Sequence, residues 1–307
     1  MAHQSRILLS ALAYSLWQVI RRLWQQGTAL ARASFDPAAQ FDQDRRGGPD
    51  EYPASNREQH SRGYARMVFL NWNVLFGGGT SAALDLAGQL ATDVVFLQEA
   101  FVTREWHGPV CGGQVPEQNW GSSVLVHGGT LEPIAVVGYT GWVVGARWLP
   151  ERPDAPRAIY LFSVHSPTSP KGEPHKSYIG ESLQIVRSIC AEVPASAPLV
   201  IGGDFNFTSF GERLPNERPL NTRREREALT EFRSLGLSIA WRDAHPMLPL
   251  PQTLRWNNDP TVPFHCDGFL LRGMDGTADE CDVLSSEAIT NRSDHNPLVL
   301  RVRWGTA

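Results

Sequence analysis

Between Met67 and Val302 one pattern recurs: short runs of β-branched and aromatic residues, separated by turn residues or by stretches whose apolar positions fall three or four apart. The apolar runs are Met67–Leu70, Val94–Leu97, Ser123–Val126, Ile134–Gly138, Ala158–Val164, Leu199–Ile201, Gly268–Leu271 and Leu298–Val302. Such runs have the length and residue types of buried strands, whereas Ser81–Leu90, Tyr178–Val193 and Arg223–Leu235 have helical spacing. Strands that are apolar on both faces need helices or a second sheet over each face, so the alternation predicts a layered α/β domain. Hydrophobic residues are 42% of the 307, with 10 Trp and 13 Phe. That is enough apolar surface to offset chain entropy, which excludes a disordered or fibrous reading for most of the chain.

Two segments precede this domain. Leu8, Leu9, Leu12, Leu16, Val19, Ile20, Leu23 and Trp24 put an apolar stripe on a helix within residues 1–33. Its apolar run from Ile7 to Ile20 is shorter than the ~20 residues a bilayer span requires. Gln18, Arg21 and Arg22 interrupt or follow it. An amphipathic extension that packs on its own domain, docks a protein partner or lies on a membrane surface is expected. Residues 34–64 turn to Asp, Arg, Gln, Gly and Pro, as in Phe41 to Asp50, and read as a polar linker. The catalytic domain is then 65–307.

A formal net charge of -4 does not suit an avid nonspecific binder of nucleic acid, which needs a surplus of Lys and Arg to release counterions. Cys111, Cys190, Cys266 and Cys281 are widely spread, with neither zinc-type pairs nor a disulfide framework. A reducing cytoplasm fits this usage. Ala-Leu-Ala-Arg-Ala at 29–33 leaves a cleaved, secreted form as the alternative.

Chemistry-bearing residues stand where the apolar runs stop. Asn73 follows Val68-Phe-Leu70 and precedes Gly77-Gly-Gly79, a position that also suits a simple turn residue. Glu99 closes Val95-Phe-Leu-Gln98. A carboxylate there pays for desolvation unless it is paired or holds a metal. His165 ends Tyr160-Leu-Phe-Ser-Val, as either a hydrogen-bonded strand-end histidine or a functional one. Leu199-Val-Ile-Gly-Gly leads into Asp204 and Asn206, two residues apart and so on one face of an extended segment, where together they can orient a water and a phosphate oxygen. Near the C-terminus Asp267 precedes Gly268–Leu271, and Asp294-His295 precedes Leu298–Val302. Asp267 is suited to bond the far ring nitrogen of His295, fixing its tautomer and raising its basicity.

In this order the motifs resemble the endonuclease/exonuclease/phosphatase superfamily, typified by deoxyribonuclease I, from about Ala65 to Trp304. They are Asn-Trp-Asn73-Val, Leu-Gln-Glu99, a strand ending in His165, Gly-Asp204-Phe-Asn206, Asp267 before an apolar strand, and Ser-Asp294-His295-Asn-Pro. The resemblance implies a four-layer sandwich of two packed mixed β-sheets flanked by helices, here with the N-terminal helical extension. It implies Mg²⁺ or Mn²⁺ on Glu99, assisted by Asn73 and Asp294. Asp204 and Asn206 would position the water and the scissile phosphate. His295 would be oriented by Asp267, and His165 would stabilise the phosphorane or assist the leaving oxygen. His295 has a suitable intrinsic pKa for the general base, whereas Asp204 would need its own raised by burial or a neighbouring anion. The carboxylate that buttresses the first histidine in deoxyribonuclease-like members has no clear counterpart, Glu117 being the candidate. Asp243 and Thr253 resemble structural or substrate-positioning positions of the family.

A nuclease acting on DNA or RNA is the leading expectation. Arg223, with Arg224 and Arg226, and Lys171, with Lys176, could line a backbone groove, although the same residues suit a solvated helix face and a charged loop. The alternatives are an inositol-phosphate or phospholipid phosphatase or phosphodiesterase, and an interaction module with a retired site. The intact set Glu99, Asp204, Asn206, Asp294 and His295 speaks against the last.

Overall fold

A computed structural model of the chain describes residues 64–305 apart from 102–105, 153, 154, 156, 157, 168–177, 260 and 274–277. The expectations for segments 1–33 and 34–64, and for Lys171 and Lys176, lie outside the described residues. Ser61–Ala307 makes one compact unit.

The strands are β1 (Tyr64–Asn73), β2 (Val94–Ala100), β3 (Val110–Gly112), β4 (Gly121–Val126), β5 (Thr130–Ile134), β6 (Val143–Leu149), β7 (Ile159–His165), β8 (Leu199–Asp204), β9 (Ser238–Ile239), β10 (Asp267–Arg272), β11 (Ala278–Val283) and β12 (Leu298–Gly305). They form two six-stranded sheets, ordered β11-β12-β1-β2-β4-β3 and β5-β6-β7-β8-β10-β9. Each sheet is mixed: β1 runs parallel to β2, β7 runs parallel to β8, and the remaining pairings are antiparallel.

Three apolar clusters fill the spaces between layers. The first lies between the sheets and takes alternate residues of each strand: Met67 and Phe69, Val94 and Phe96, Ile159 and Leu161, Val200, Phe269 and Leu271, and Leu298, Leu300 and Val302. The intervening residues of β7, β8 and β10 face α2 (Tyr178–Glu192) and α3 (Arg223–Ser234), with Phe162, Leu199, Ile201 and Leu270 packing on Ile185, Ile189, Leu229 and Phe232. Those of β1 and β2, Leu70, Trp72, Val95 and Leu97, face α1 (Thr80–Leu90) through Ala83 and Ala87. This is the expected four-layer sandwich. The continuous apolar runs arise because central strands are covered on both faces.

The start of α3 is fixed by its own sequence. Thr222 caps it by accepting from the Glu225 amide, and the Glu225 carboxylate returns to the Thr222 amide, a capping box. Glu225 also accepts from the Thr208 hydroxyl and the Ser209 amide, so the same buried carboxylate pins the loop that follows β8. Two shorter helices, α4 (Ala240–Ala244) and α5 (Glu287–Thr290), follow β9 and β11.

Candidate active site

The inter-sheet face is apolar along most of its length and polar at one end, and the period of two decides which residues form that end. Continuing the phase of Met67 and Phe69 along β1 brings Asn71 and Asn73 to the inner face. In β2, Val94 and Phe96 lead to Gln98. In β7, Ile159 and Leu161 lead to Ser163 and His165. In β8, Val200 leads to Gly202 and Asp204, and β10 starts at Asp267 in phase with Phe269. Asp267 pairs with Asp204, and His165 with Asp204, in the ladders.

Glu99 is out of phase. Alternation would send it outward with Val95 and Leu97, but the β2–β4 register shifts between Leu97 and Ala100, and Glu99 has φ +52°. This bulge turns its carboxylate back to the site, the common use of bulges beside active sites. There Glu99 accepts from Asn73 Nδ2 at 3.3 Å and from the Phe76 amide at 3.2 Å, and its carbonyl accepts from the Gly77 amide at 2.6 Å. The receiving turn is itself unusual: Leu75, Phe76 and Gly77 all have positive φ.

Asp204 is the hub. Its Oδ2 accepts from Asn73 Nδ2 at 3.1 Å and lies 3.9 Å from His165 Nε2 and 3.8 Å from His295 Nε2. Its Oδ1 accepts from the Asn206 amide at 2.9 Å. His165 Nε2 is also 3.9 Å from Glu99 Oε1. His295 Nδ1 lies 2.9 and 3.1 Å from the two oxygens of Asp267, so the carboxylate takes this ring nitrogen as a donor and leaves Nε2 facing Asp204. Asp204, Asp267 and His295 bring ligand-type atoms within 4.8 Å of one another.

Burial and charge act on this cluster together. Desolvation raises the Asp204 carboxyl above its ordinary value, and Asp267 raises it further, with His295 and His165 opposing. Burial alone would lower His295, but Asp267, Asp204 and Asp294 outweigh it and push the ring up to about 10. At neutral pH His295 is therefore held as a cation and Asp204 is a stronger base than a free aspartate. That weighs toward Asp204 as general base, because the carboxylates that make His295 basic also keep it protonated.

Several expected placements differ in detail. Asn206 does not share an extended face with Asp204. The strand ends at Asp204, Asn206 takes φ +54°, and its Nδ2 donates to the Ser166 carbonyl at 2.8 Å, tying β7 to the loop after β8. Asn73 bridges Glu99 and Asp204 through its nitrogen, while its oxygen accepts from the Leu75 amide at 3.2 Å. It ties the two carboxylates together. Asp294 is half-buried, and its carbonyl accepts from the Arg255 amide at 2.8 Å. Glu117 is exposed in a turn, which does not suit a buttress for buried His165. The Arg223 side chain is 87% exposed and ion-paired with Glu227 one turn along α3. It belongs to a solvated helix face.

Other residues complete the site. Ser293 donates to the Asn73 carbonyl at 2.7 Å and accepts from the His295 amide at 3.0 Å, and Trp72 Nε1 donates to the His295 carbonyl at 3.0 Å. Thr253 accepts from the Cys266 and Asp267 amides at 2.8 and 3.2 Å. Buried Arg255 donates to the Asn296 side chain and the Ser293 carbonyl. Their signals in the sequence were only a hydroxyl beside Asp294, a threonine before Trp256 and an arginine between them. Trp120 and Trp142, whose ring centroids lie 5.6 and 5.1 Å from His165, carried no spacing signal at all.

Asn73 Nδ2 joins the carboxylates of Glu99 and Asp204, and oxygen donors of this kind fit a hard divalent cation. Two helix-flanked mixed sheets with an acid–histidine cluster at their strand ends define the class: an α/β sandwich with a site of the hydrolytic type. The chain belongs to the endonuclease/exonuclease/phosphatase family, whose model matches residues 70–295. Members of that family are usually hydrolases acting on phosphodiester bonds.

Solved structures agree on the fold. The endonuclease domain of TRAS1, a telomere-specific non-LTR retrotransposon, aligns at a TM-score of 0.54 and 18% identity over 77% of this chain and 98% of that one. D. rerio TDP2 complexed with single strand DNA product aligns at 0.54 and 16%, covering 77% and 98%. An endonuclease/exonuclease/phosphatase from Beutenbergia cavernae DSM 12333 aligns at 0.51 and 14%, covering 78% and 72%. No curated protein matches the sequence.

Proposed function

We propose that the protein is a divalent-metal-dependent nuclease that hydrolyses DNA or RNA phosphodiesters by an activated water. The observation that carries this reading is Asp204, 2% exposed, with Oδ2 within 3.9 Å of both His165 and His295 and bridged through Asn73 to Glu99. A covalent nucleophile is not required, since the cluster offers a base, a cationic ring and oxygen donors around one point.

Glu99 and Asp294 would hold Mg²⁺ or Mn²⁺, with Asn73 keeping Glu99 in place. The cation supplies Lewis acidity to a phosphoryl oxygen. Asp204, made more basic by burial, takes the proton of the attacking water. His295, charged and braced by Asp267, offers Nε2–H to a phosphoryl oxygen. His165 donates toward the leaving oxygen or the equatorial charge. Asn206, locked to Ser166, faces the phosphate.

Nucleic acid as substrate is supported by two structural neighbours, one an endonuclease domain and one bound to a DNA product. The test incubates the full chain with plasmid DNA, single-stranded DNA, RNA and phosphoinositide vesicles, each with Mg²⁺, Mn²⁺ or EDTA. Cleavage of a nucleic acid is expected, abolished by EDTA and reduced roughly 10³-fold or more in Asp204→Ala, whose loss removes the base. Hydrolysis confined to the phosphoinositide would replace the nuclease reading with the lipid one.

A further inference from the structure

Beside the Glu99–His165 side of the site stands a continuous set of aromatic rings. Phe76 and Trp120 have centroids 5.6 Å apart, Trp120 and Trp142 lie 5.5 Å apart edge to face, and both indoles pack on His165. Trp120 is 8% exposed and serves as the backing, while Phe76 and Trp142 are half-buried. Phe101, 40% exposed, packs against Gly77, where an added Cβ would stand 2.0 Å from its ring. The set spans both sheets. Trp120 immediately precedes β4 and Trp142 immediately precedes β6, and the Ser122 hydroxyl donates to the Trp142 carbonyl at 2.9 Å.

The backbone shows that Phe76 is held where it is at a cost. A bulky residue at φ +50° is unfavourable, and a glycine or asparagine would turn the chain more cheaply while still offering its amide to Glu99. What phenylalanine adds is a ring on the residue whose amide binds the Glu99 carboxylate.

Building on the nuclease reading, we propose that this aromatic wall stacks an unpaired nucleobase next to the scissile phosphate, making the enzyme selective for single-stranded nucleic acid. A base inside a duplex is already stacked on its neighbours and cannot turn its face to a wall that borders the phosphate pocket. Aromatic rings beside a backbone-binding site are the sequence-tolerant platform for single strands. The overall negative charge agrees: with little electrostatic affinity for a polyanion, binding must draw on contacts other than phosphate neutralisation.

The test compares a single strand of one base, the same strand in a duplex, and an abasic strand of equal length, all with the full chain and Mg²⁺ or Mn²⁺. Vesicles of a phosphocholine lipid form the fourth arm, because an aromatic wall can also take a quaternary ammonium. The base-bearing single strand should be cut with a kcat/KM roughly tenfold or more above the abasic strand and the duplex. Phe76→Ala should cut the base-bearing to abasic ratio by roughly 5- to 100-fold, mostly through KM, and Phe76→Trp should restore it. Equal cleavage of base-bearing and abasic strands by the unaltered protein would overturn stacking while leaving the nuclease reading intact. Hydrolysis of the lipid with every strand intact, or of nothing, would overturn both.

Discussion

The two sheets share one pairing sequence, with the parallel pair third from either edge, and each delivers two site residues from the C-terminal ends of that pair: Asn73 and Glu99 from one, His165 and Asp204 from the other. They reach the same place by different local means. In the first sheet the ladder is broken: Glu99 bulges out of register with φ +52°, and the turn beyond Asn73 stays left-handed for three residues. In the second the ladder is regular to its last residue, but Gly202 removes a side chain that would hold the sheets apart, and Gly203 one that would press on the neighbouring strand β7. A Cβ at Gly202 would lie 2.8 Å from Phe96, and one at Gly203 would lie 2.2 Å from the Val164 carbonyl oxygen. Asn71 uses that closeness by donating to the Gly203 carbonyl at 3.3 Å. Gln98 Nε2 meets Ser163 Oγ at 2.9 Å, and that hydroxyl donates back to the Leu97 carbonyl. One sheet spends backbone strain to aim a carboxylate, and the other gives up side chains to bring an aspartate within reach of it.

If that contrast is right, matched substitutions should act in opposite ways. Glu99→Gly removes the carboxylate but relaxes a left-handed glutamate and relieves crowding with Asp204. It should lose roughly 10³-fold in activity. Its thermal stability should be unchanged or slightly raised, by up to about 1 kcal/mol. Gly203→Ala sets a Cβ against backbone that cannot give way, so stability should fall by about 2–3 kcal/mol, with activity lost in proportion to the unfolded fraction. Denaturant melts and metal-dependent rates on both variants check the pair. A Glu99→Gly protein less stable than Gly203→Ala would erase the distinction.

How much of this could be read from the chain follows the same division. The strands, their apolar faces and the residues at their ends were legible because period-two alternation is a local property, and Asn73, His165, Asp204 and Asp267 obey it. Glu99 was legible as a residue but not as a direction, since no residue in Val95–Ala100 announces the bulge. Asn206 was legible by its spacing from Asp204, although the left-handed turn that places it is not what spacing suggests. Ser163, Gln98 and Trp142 were opaque. Their parts depend on which strand of the other sheet lies opposite, a contact the sequence separates by 65 residues in the case of Gln98 and Ser163. Arg223 was legible both ways, as a phosphate groove or a solvated helix face, and the ion pair with Glu227 on the same helix face is a contact that residue type alone did not announce.

The third substitution tests the strand that flanks the parallel pair. Asp267 begins β10 opposite Asp204 and braces His295, which comes from the loop before β12 of the other sheet. Asp267→Asn keeps shape and hydrogen-bonding capacity but removes a charge, so activity should fall by roughly 100-fold with little change in stability. The pH profile tells more than the rate. Burial favours the neutral ring, and the carboxylates override it to hold His295 up at about 10. Removing one of them lets the ring lose its proton at lower pH. If the imidazolium is the working form, the alkaline limb of the activity profile moves to lower pH in Asp267→Asn, and that is the expected result. The acid limb moves down as well, because Asp267 also raises Asp204, whereas if neutral His295 were the general base the acid limb alone would move. A profile that keeps the alkaline limb in place would separate the His295 imidazolium from the chemistry.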